Sequence, residues 1–183
     1  TEGGQLVPMG EVLHMKAGVH IKAADISQEK SPKYIYSCFG GNGIRGYSAT
    51  SNQDANSLLI GRQGALCGNV QRVQGRFYAT EHAIVATGKS NIDMSWAFHK
   101  LTHMDLNQYK TKSAQPGLAV GRLKEIPMML PSIEVQRETA IILDKFDALV
   151  NDLSIGLPAE LSARRKQYEY YRDKLLTFKE KKS

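Results

Sequence analysis

Cysteine is nearly absent: Cys38 and Cys67 are the only two in 183 residues. They are too few and too far apart for a disulfide framework or a zinc site, and a reducing cytoplasm is the expected setting. No apolar run approaches the ~20 residues that cross a bilayer, and no charged-then-apolar leader opens the chain, so no membrane role is expected. The usual enzyme signatures are missing as well. No Pro-Pro pair occurs and no proline is followed by aspartate. That removes the aromatic-flanked motif of adenine methyltransferases and the common nuclease carboxylate signature. Nothing matches Gly-x-Ser-x-Gly, and neither cysteine lies in a nucleophile context. His99 and His103 stand four apart, but Lys100-Leu101-Thr102 between them lacks the zincin glutamate, so no metal and no cofactor are expected.

What the chain does have is positive charge, unevenly placed. Residues 1–131 carry 14 Lys and Arg against 9 Asp and Glu, net +5. Residues 132–154 are acidic, net −3, and residues 158–183 return to net +4. A basic front and a basic tail suit a polyphosphate partner without requiring one.

Short strands are expected at Val12–Met15, Lys33–Phe39, Ser57–Gly61 and Gly68–Val73, with a longer one over Phe77–Thr87 kinked at Thr80-Glu81. Residues 1–8 read as unstructured. Asp93 should cap a helix running to His103, and Ser132 should cap a long helix that begins beyond Pro131. Two glycine loops stand out. Gly41-Asn42-Gly43-Ile44-Arg45-Gly46 fits the spacing of a dinucleotide fingerprint, yet Tyr47 to Asn52 is a poor helix start and no acidic residue follows at the required distance. The second loop runs from Gly61 to Gly68.

Both loops carry side chains matched to base edges. Arginine pairs bidentately with guanine, and asparagine or glutamine with adenine, while glycine lets the backbone approach phosphates. Asn42, Arg45, Arg62 and Gln63 are therefore the candidate DNA-contacting residues, joined by Lys110, Lys112 and Gln115 in the stretch before Pro116-Gly117. The competing reading is structural: glycine turns that reverse strands, with Arg62 bracing its own loop.

The last third is helical. Val135, Ile142, Phe146, Leu149 and Leu153 follow the three-four alternation of a helix seam. A second seam resumes at Leu157, Leu161, Tyr168, Tyr171 and Leu175, after a break or stutter near 155–158 where Gly156 and Pro158 sit. The expected fold is α+β: a short-stranded mixed β domain over 1–131, then long coiled-coil-forming helices over 132–183. An isolated apolar stripe wants a partner helix, and a twofold dimer through the arm would supply one.

Several short segments, taken in order, resemble the specificity subunit of type I restriction-modification systems. They are Met9-Gly10-Glu11-Val12, Gly40-Gly41-Asn42-Gly43-Ile44-Arg45-Gly46-Tyr47 and Leu59-Ile60-Gly61-Arg62-Gln63-Gly64-Ala65. Pro127 to Gln136, Ile141 to Asp147 and Tyr170 to Leu176 complete the series. The resemblance implies a non-catalytic reader of double-stranded DNA, in which 1–131 is a target recognition domain and the helical arm sets the spacing of a bipartite target. It also implies two partners, an adenine methyltransferase subunit and a translocase-nuclease subunit. One recognition domain with one arm means either a half-size subunit that homodimerises or part of a two-domain subunit. A coiled-coil adaptor and a stand-alone DNA-binding protein are the alternatives.

Overall fold

The computed structural model describes residues 4–112, 116–156 and 166–167, with side chains described through 148 and at 166–167. Two compact units divide at Ala140 and Ile141.

The first unit is built on two sheets. One has the order β2-β10-β7-β8 and is antiparallel throughout: β2 Leu13–Ala17, β10 Ala83–Gly88, β7 Ser57–Gly61 and β8 Val70–Val73. The other has the order β3-β5-β4-β9-β6: β3 Ile26–Ser27, β5 Gly43–Ser48, β4 Tyr36–Gly40, β9 Arg76–Ala79 and β6 Gln53–Asp54. It is mixed, because β4 and β9 run parallel.

All five residues of β7 and the first four of β10 are buried, where a half-exposed strand would alternate. Alternate side chains serve opposite cores. Leu58, Ile60, Ile84 and Ala86 join Trp96, Ala97 and Leu101 on one face. Leu59, Ala83 and Val85 meet Phe39, Val73 and Phe77 on the other, where the rings of Phe39 and Phe77 pack edge-on at 5.6 Å. Period-two alternation between two hydrophobic layers thus explains why Leu58 to Ile60 and Ala83 to Ala86 are apolar throughout.

The helices follow from their caps. Asp93 accepts from Trp96 N at 2.9 Å and starts α2, Met94–His103, whose buried face is Trp96, Ala97 and Leu101. Such a cap contributes about 1 kcal/mol. Short helices α1, Met9–Val12, and α3, Val120–Glu125, are joined where Met9 N donates to Ile126 O at 2.9 Å. The long helix α4, Ile133–Gly156, begins after Ser132, whose Oγ accepts from Val135 N at 3.5 Å. Pro131 and Ser132 thus mark where α4 starts, while the packed unit reaches two turns further.

Two expectations need correction. Residues 5–8 are not unstructured: β1, Gln5–Pro8, pairs antiparallel with β11, Pro127–Leu130. The pairing is invisible locally because its partner lies more than a hundred residues away. Phe77–Thr87 is not one kinked strand either. It is β9 and β10 in different sheets, and Thr80-Glu81-His82 carries the chain from one to the other.

The second unit is described only as α4 beyond Ala140 and residues 166–167. Along α4, Ile141, Ile142 and Phe146 are exposed. The side chain of Leu153 and all of Leu157, Leu161, Tyr168, Tyr171 and Leu175 lie outside the described residues, as does the expected break past Gly156.

Candidate nucleic-acid interface

The two glycine loops meet. β4 and β5 form a hairpin closed by the pair Gly40 and Gly43, with Gly41-Asn42 at its tip and Gly43 at φ +106°. Gly41 lies against the segments after β7 and β9: a Cβ there would sit 2.9 Å from His82 O and 3.2 Å from Gln63 O. Any larger residue would push the loops apart. Glycine at position 41 is thus a condition for the site, through close backbone approach.

Between these loops lies an open cleft of about 900 Å³. Asn42, Ile44 and Arg45 line it from the hairpin, Gln63 and Leu66 from the loop after β7, and His82 and Pro116 close it. Ile44 and Leu66 are apolar yet 59% and 57% exposed. The cleft therefore offers polar and apolar side chains side by side, on loops held by rigid sheets.

Three of the expected contact residues line this cleft: Asn42, Arg45 and Gln63. Asn42 Oδ1 accepts from Asn69 Nδ2 at 3.0 Å, which ties the hairpin tip to the loop between β7 and β8. Arg62 is placed differently. Its backbone N donates to His82 O at 2.8 Å, its carbonyl accepts from Leu118 N at 2.8 Å, and Nη1 donates to Glu81 O at 3.1 Å. Half-buried and bonded on three sides, it staples three segments together behind the cleft. Lys110 and Lys112 are exposed and are not among the residues lining the cleft. Lys110 Nζ donates to Asn107 Oδ1 at 2.7 Å, and Asn107 Nδ2 donates to Cys67 O at 2.6 Å, pinning the second glycine loop. Gln115 lies outside the described residues.

Sequence reasoning missed His82. Its Nδ1 stands 2.6 Å from Gln63 Oε1, and its Nε2 is 3.3 Å from Glu81 Oε1. The same carboxylate oxygen is 2.9 Å from His20 Nδ1. Burial pushes the Glu81 carboxyl up, but the His20 hydrogen bond, its own backbone N–H and the charges of His82 and His20 outweigh it, and the net shift is below the usual value. Glu81 Oε2 and Thr80 Oγ1 are buried with no hydrogen-bond partner among the described residues. The available signal was Thr80-Glu81-His82, a polar interruption in an apolar run. Cys38, beneath the hairpin, is a buried thiol whose pKa burial raises, Arg45 lowering and Glu81 raising it further to a net increase; such a thiol is poorly reactive.

The described residues lining the cleft present amide, guanidinium and imidazole groups beside apolar tips. Elsewhere, His99 Nε2 lies 2.9 Å from Arg72 Nη2, and the Arg72 guanidinium stacks 4.1 Å over the Phe98 ring. No helix among the described residues is long and apolar enough to cross a membrane.

Residues 2–163 match the family described as the type I restriction modification DNA specificity domain. The chain is 58% identical over 151 residues to the EcoprrI type I restriction enzyme specificity subunit of Escherichia coli, covering 82% of this chain but 38% of that protein. Its fold is similar to a crystal structure of a type I restriction-modification S subunit from M. genitalium, with a TM-score of 0.71 at 18% identity over 94% of this chain and 46% of that one. The HsdS subunit from Thermoanaerobacter tengcongensis is similar too, with a TM-score of 0.65 at 15% identity, covering 93% and 44%. The chain thus spans less than half the length of these relatives.

Proposed function

Because the chain belongs to the family of type I restriction-modification DNA specificity domains, we propose that it reads one half of a bipartite double-stranded DNA target and performs no catalysis itself. The observation that carries this reading is the convergence of Asn42, Arg45 and Gln63 on one open cleft whose rim also holds exposed Ile44 and Leu66. Amide and guanidinium groups match base edges, and an apolar tip matches a thymine methyl. Lys110, Lys112 and Gln115 serve the flanking phosphates, which fix register without reading sequence. Arg62 acts through the shape of the loop it staples.

The arm from α4 onward is the scaffold. Exposed Ile142 and Phe146 continue the spacing begun at Val135, and the further seam residues Leu153, Leu157, Leu161, Tyr168, Tyr171 and Leu175 extend it. A coiled coil along this seam joins the chain to a second copy or to a second recognition domain. On that scaffold an adenine methyltransferase subunit docks, and a translocase-nuclease subunit completes the complex in the cytoplasm.

Co-expression with a type I adenine methyltransferase subunit, followed by mapping of methylated adenines, tests the whole reading. A palindromic bipartite motif is the expected result for a homodimer. An asymmetric motif means a second, different recognition domain contributes. No motif, with no co-purification, would leave an adaptor or stand-alone DNA binder in its place.

A further inference from the structure

A glutamine that reads bases is ambiguous until its amide is oriented, because one end donates and the other accepts. At Gln63 that choice is made by a neighbour. Oε1 is placed 2.6 Å from His82 Nδ1, an arrangement in which an N–H on Nδ1 donates and the amide oxygen accepts. The ring's other nitrogen, Nε2, is 3.3 Å from Glu81 Oε1, so both ring nitrogens face oxygen acceptors, and the Glu81 oxygen is also 2.9 Å from His20 Nδ1. A chain of four side chains, His20 to Glu81 to His82 to Gln63, therefore ends at the cleft. Its members come from the segment after β2, the crossing between β9 and β10, and the loop after β7.

We infer that His82 is a positioning residue for specificity: by engaging Oε1 it fixes the polarity of the Gln63 amide and leaves the NH2 end to the DNA. This rests on the reading of the cleft as the DNA-facing surface. An NH2 group needs an acceptor opposite it. In the major groove guanine offers O6 and N7, thymine O4 and adenine N7, whereas cytosine presents the N4 donor. Position 63 therefore rejects cytosine at one step of the target. The rejection depends on His82, because a free amide turns over and accepts from cytosine N4 with its oxygen.

Four proteins test this: the full chain and its His82→Phe, His82→Asn and Gln63→Glu variants, each selecting from a pool of randomised duplexes. The parent should discriminate against cytosine at one position. His82→Phe keeps a flat ring without the donor and should lose that discrimination by about threefold to tenfold, the worth of one hydrogen bond. His82→Asn offers an amide that can turn either end to Gln63, so it should restore a hydrogen bond there without restoring the discrimination. Gln63→Glu still accepts from His82 but turns a carboxylate oxygen to the groove, and should favour cytosine. Thermal melting of each variant separates loss of selectivity from loss of fold.

Nitrogen-15 spectra of the parent, with His82 assigned by the signal missing in His82→Phe, read the same geometry without DNA. A protonated Nδ1 is expected. An unprotonated Nδ1 means the amide is reversed and overturns the inference. So does a parent motif that His82→Phe leaves unchanged. A parent that selects no motif removes the DNA-facing cleft and the inference with it, and the spectra distinguish that outcome from a misassigned amide.

Discussion

Helix α4 carries one apolar-striped sequence in two different settings on either side of Ala140. Before it, Gln136 and Ala140 are fully covered and belong to the packed front unit. Gln136 Oε1 accepts from Asp93 N at 2.9 Å, while Nε2 donates to Pro131 O at 2.9 Å and to Asn91 O at 3.2 Å. After it, Ile141, Ile142 and Phe146 are open to solvent. The periodicity is continuous, so periodicity alone does not say which apolar positions close a core and which stay exposed. A polar residue does. The buried Gln136 clamps the first turns of α4 to the cap of α2.

The largest effect expected is at that clamp. Gln136→Ala strips partners from three backbone groups and should cost about 3 kcal/mol in urea unfolding of the front unit. Self-association through the arm should persist in whatever fraction remains folded. If the loss is below about 0.5 kcal/mol, the usual scale of an inconsequential surface change, the clamp is not what distinguishes the two stretches of helix.

A smaller loss of the same kind is expected at Arg62. Its guanidinium holds Glu81 O, so Arg62→Ala should cost about 1–2 kcal/mol of stability. Affinity for duplexes should then fall evenly across sequences. Arg45→Ala, by contrast, should leave stability unchanged, cost about 1–3 kcal/mol of DNA affinity and relax base preference at one position. A base-specific loss in Arg62→Ala would make Arg62 a reader as well as a staple.

These contrasts show what local sequence can reveal. Asp93 and Ser132 were legible because a cap needs only its next three residues, and Ser57–Gly61 because a short apolar run bounded by turns has few readings. Gln63 and Arg62 were legible as a pair but not as opposites. Which one turns inward depends on Glu81 and Leu118, far along the chain. His82 was hidden for the same reason: its role exists only where three loops converge. Gln136 was the hardest, since a glutamine in a helix ordinarily faces water.

Acid should separate the cleft from the arm more gently. The folded-state pKa of Glu81 lies below its usual value through the net effect of His20, its own backbone N–H and His82 against burial. Its contribution to stability is therefore complete above the ordinary carboxylate range and is lost as pH falls through the lowered folded-state value. The stability gap between parent and Glu81→Gln should narrow on acidification, seen in urea midpoints taken across that range. A gap that widens would reverse the sign of the linkage.

The smallest change in unfolding stability belongs to the arm, and it is the sharpest test of the comparison. Phe146 is 60% exposed, so replacing it with aspartate removes little burial within the chain and should shift stability of the front unit by less than about 0.5 kcal/mol. Its cost falls on association instead. Burying an apolar side chain of this size against a partner helix contributes roughly 1.5–3 kcal/mol, and a dimer doubles the number of such contacts. An added like charge on an already acidic segment opposes pairing further. Phe146→Asp should therefore unfold like the parent while running as a monomer in light scattering at tens of micromolar, where the parent runs as a dimer. A parent already monomeric would sink the twofold dimer. A variant that stays dimeric would move the interface off the seam that Phe146 shares with Ile142.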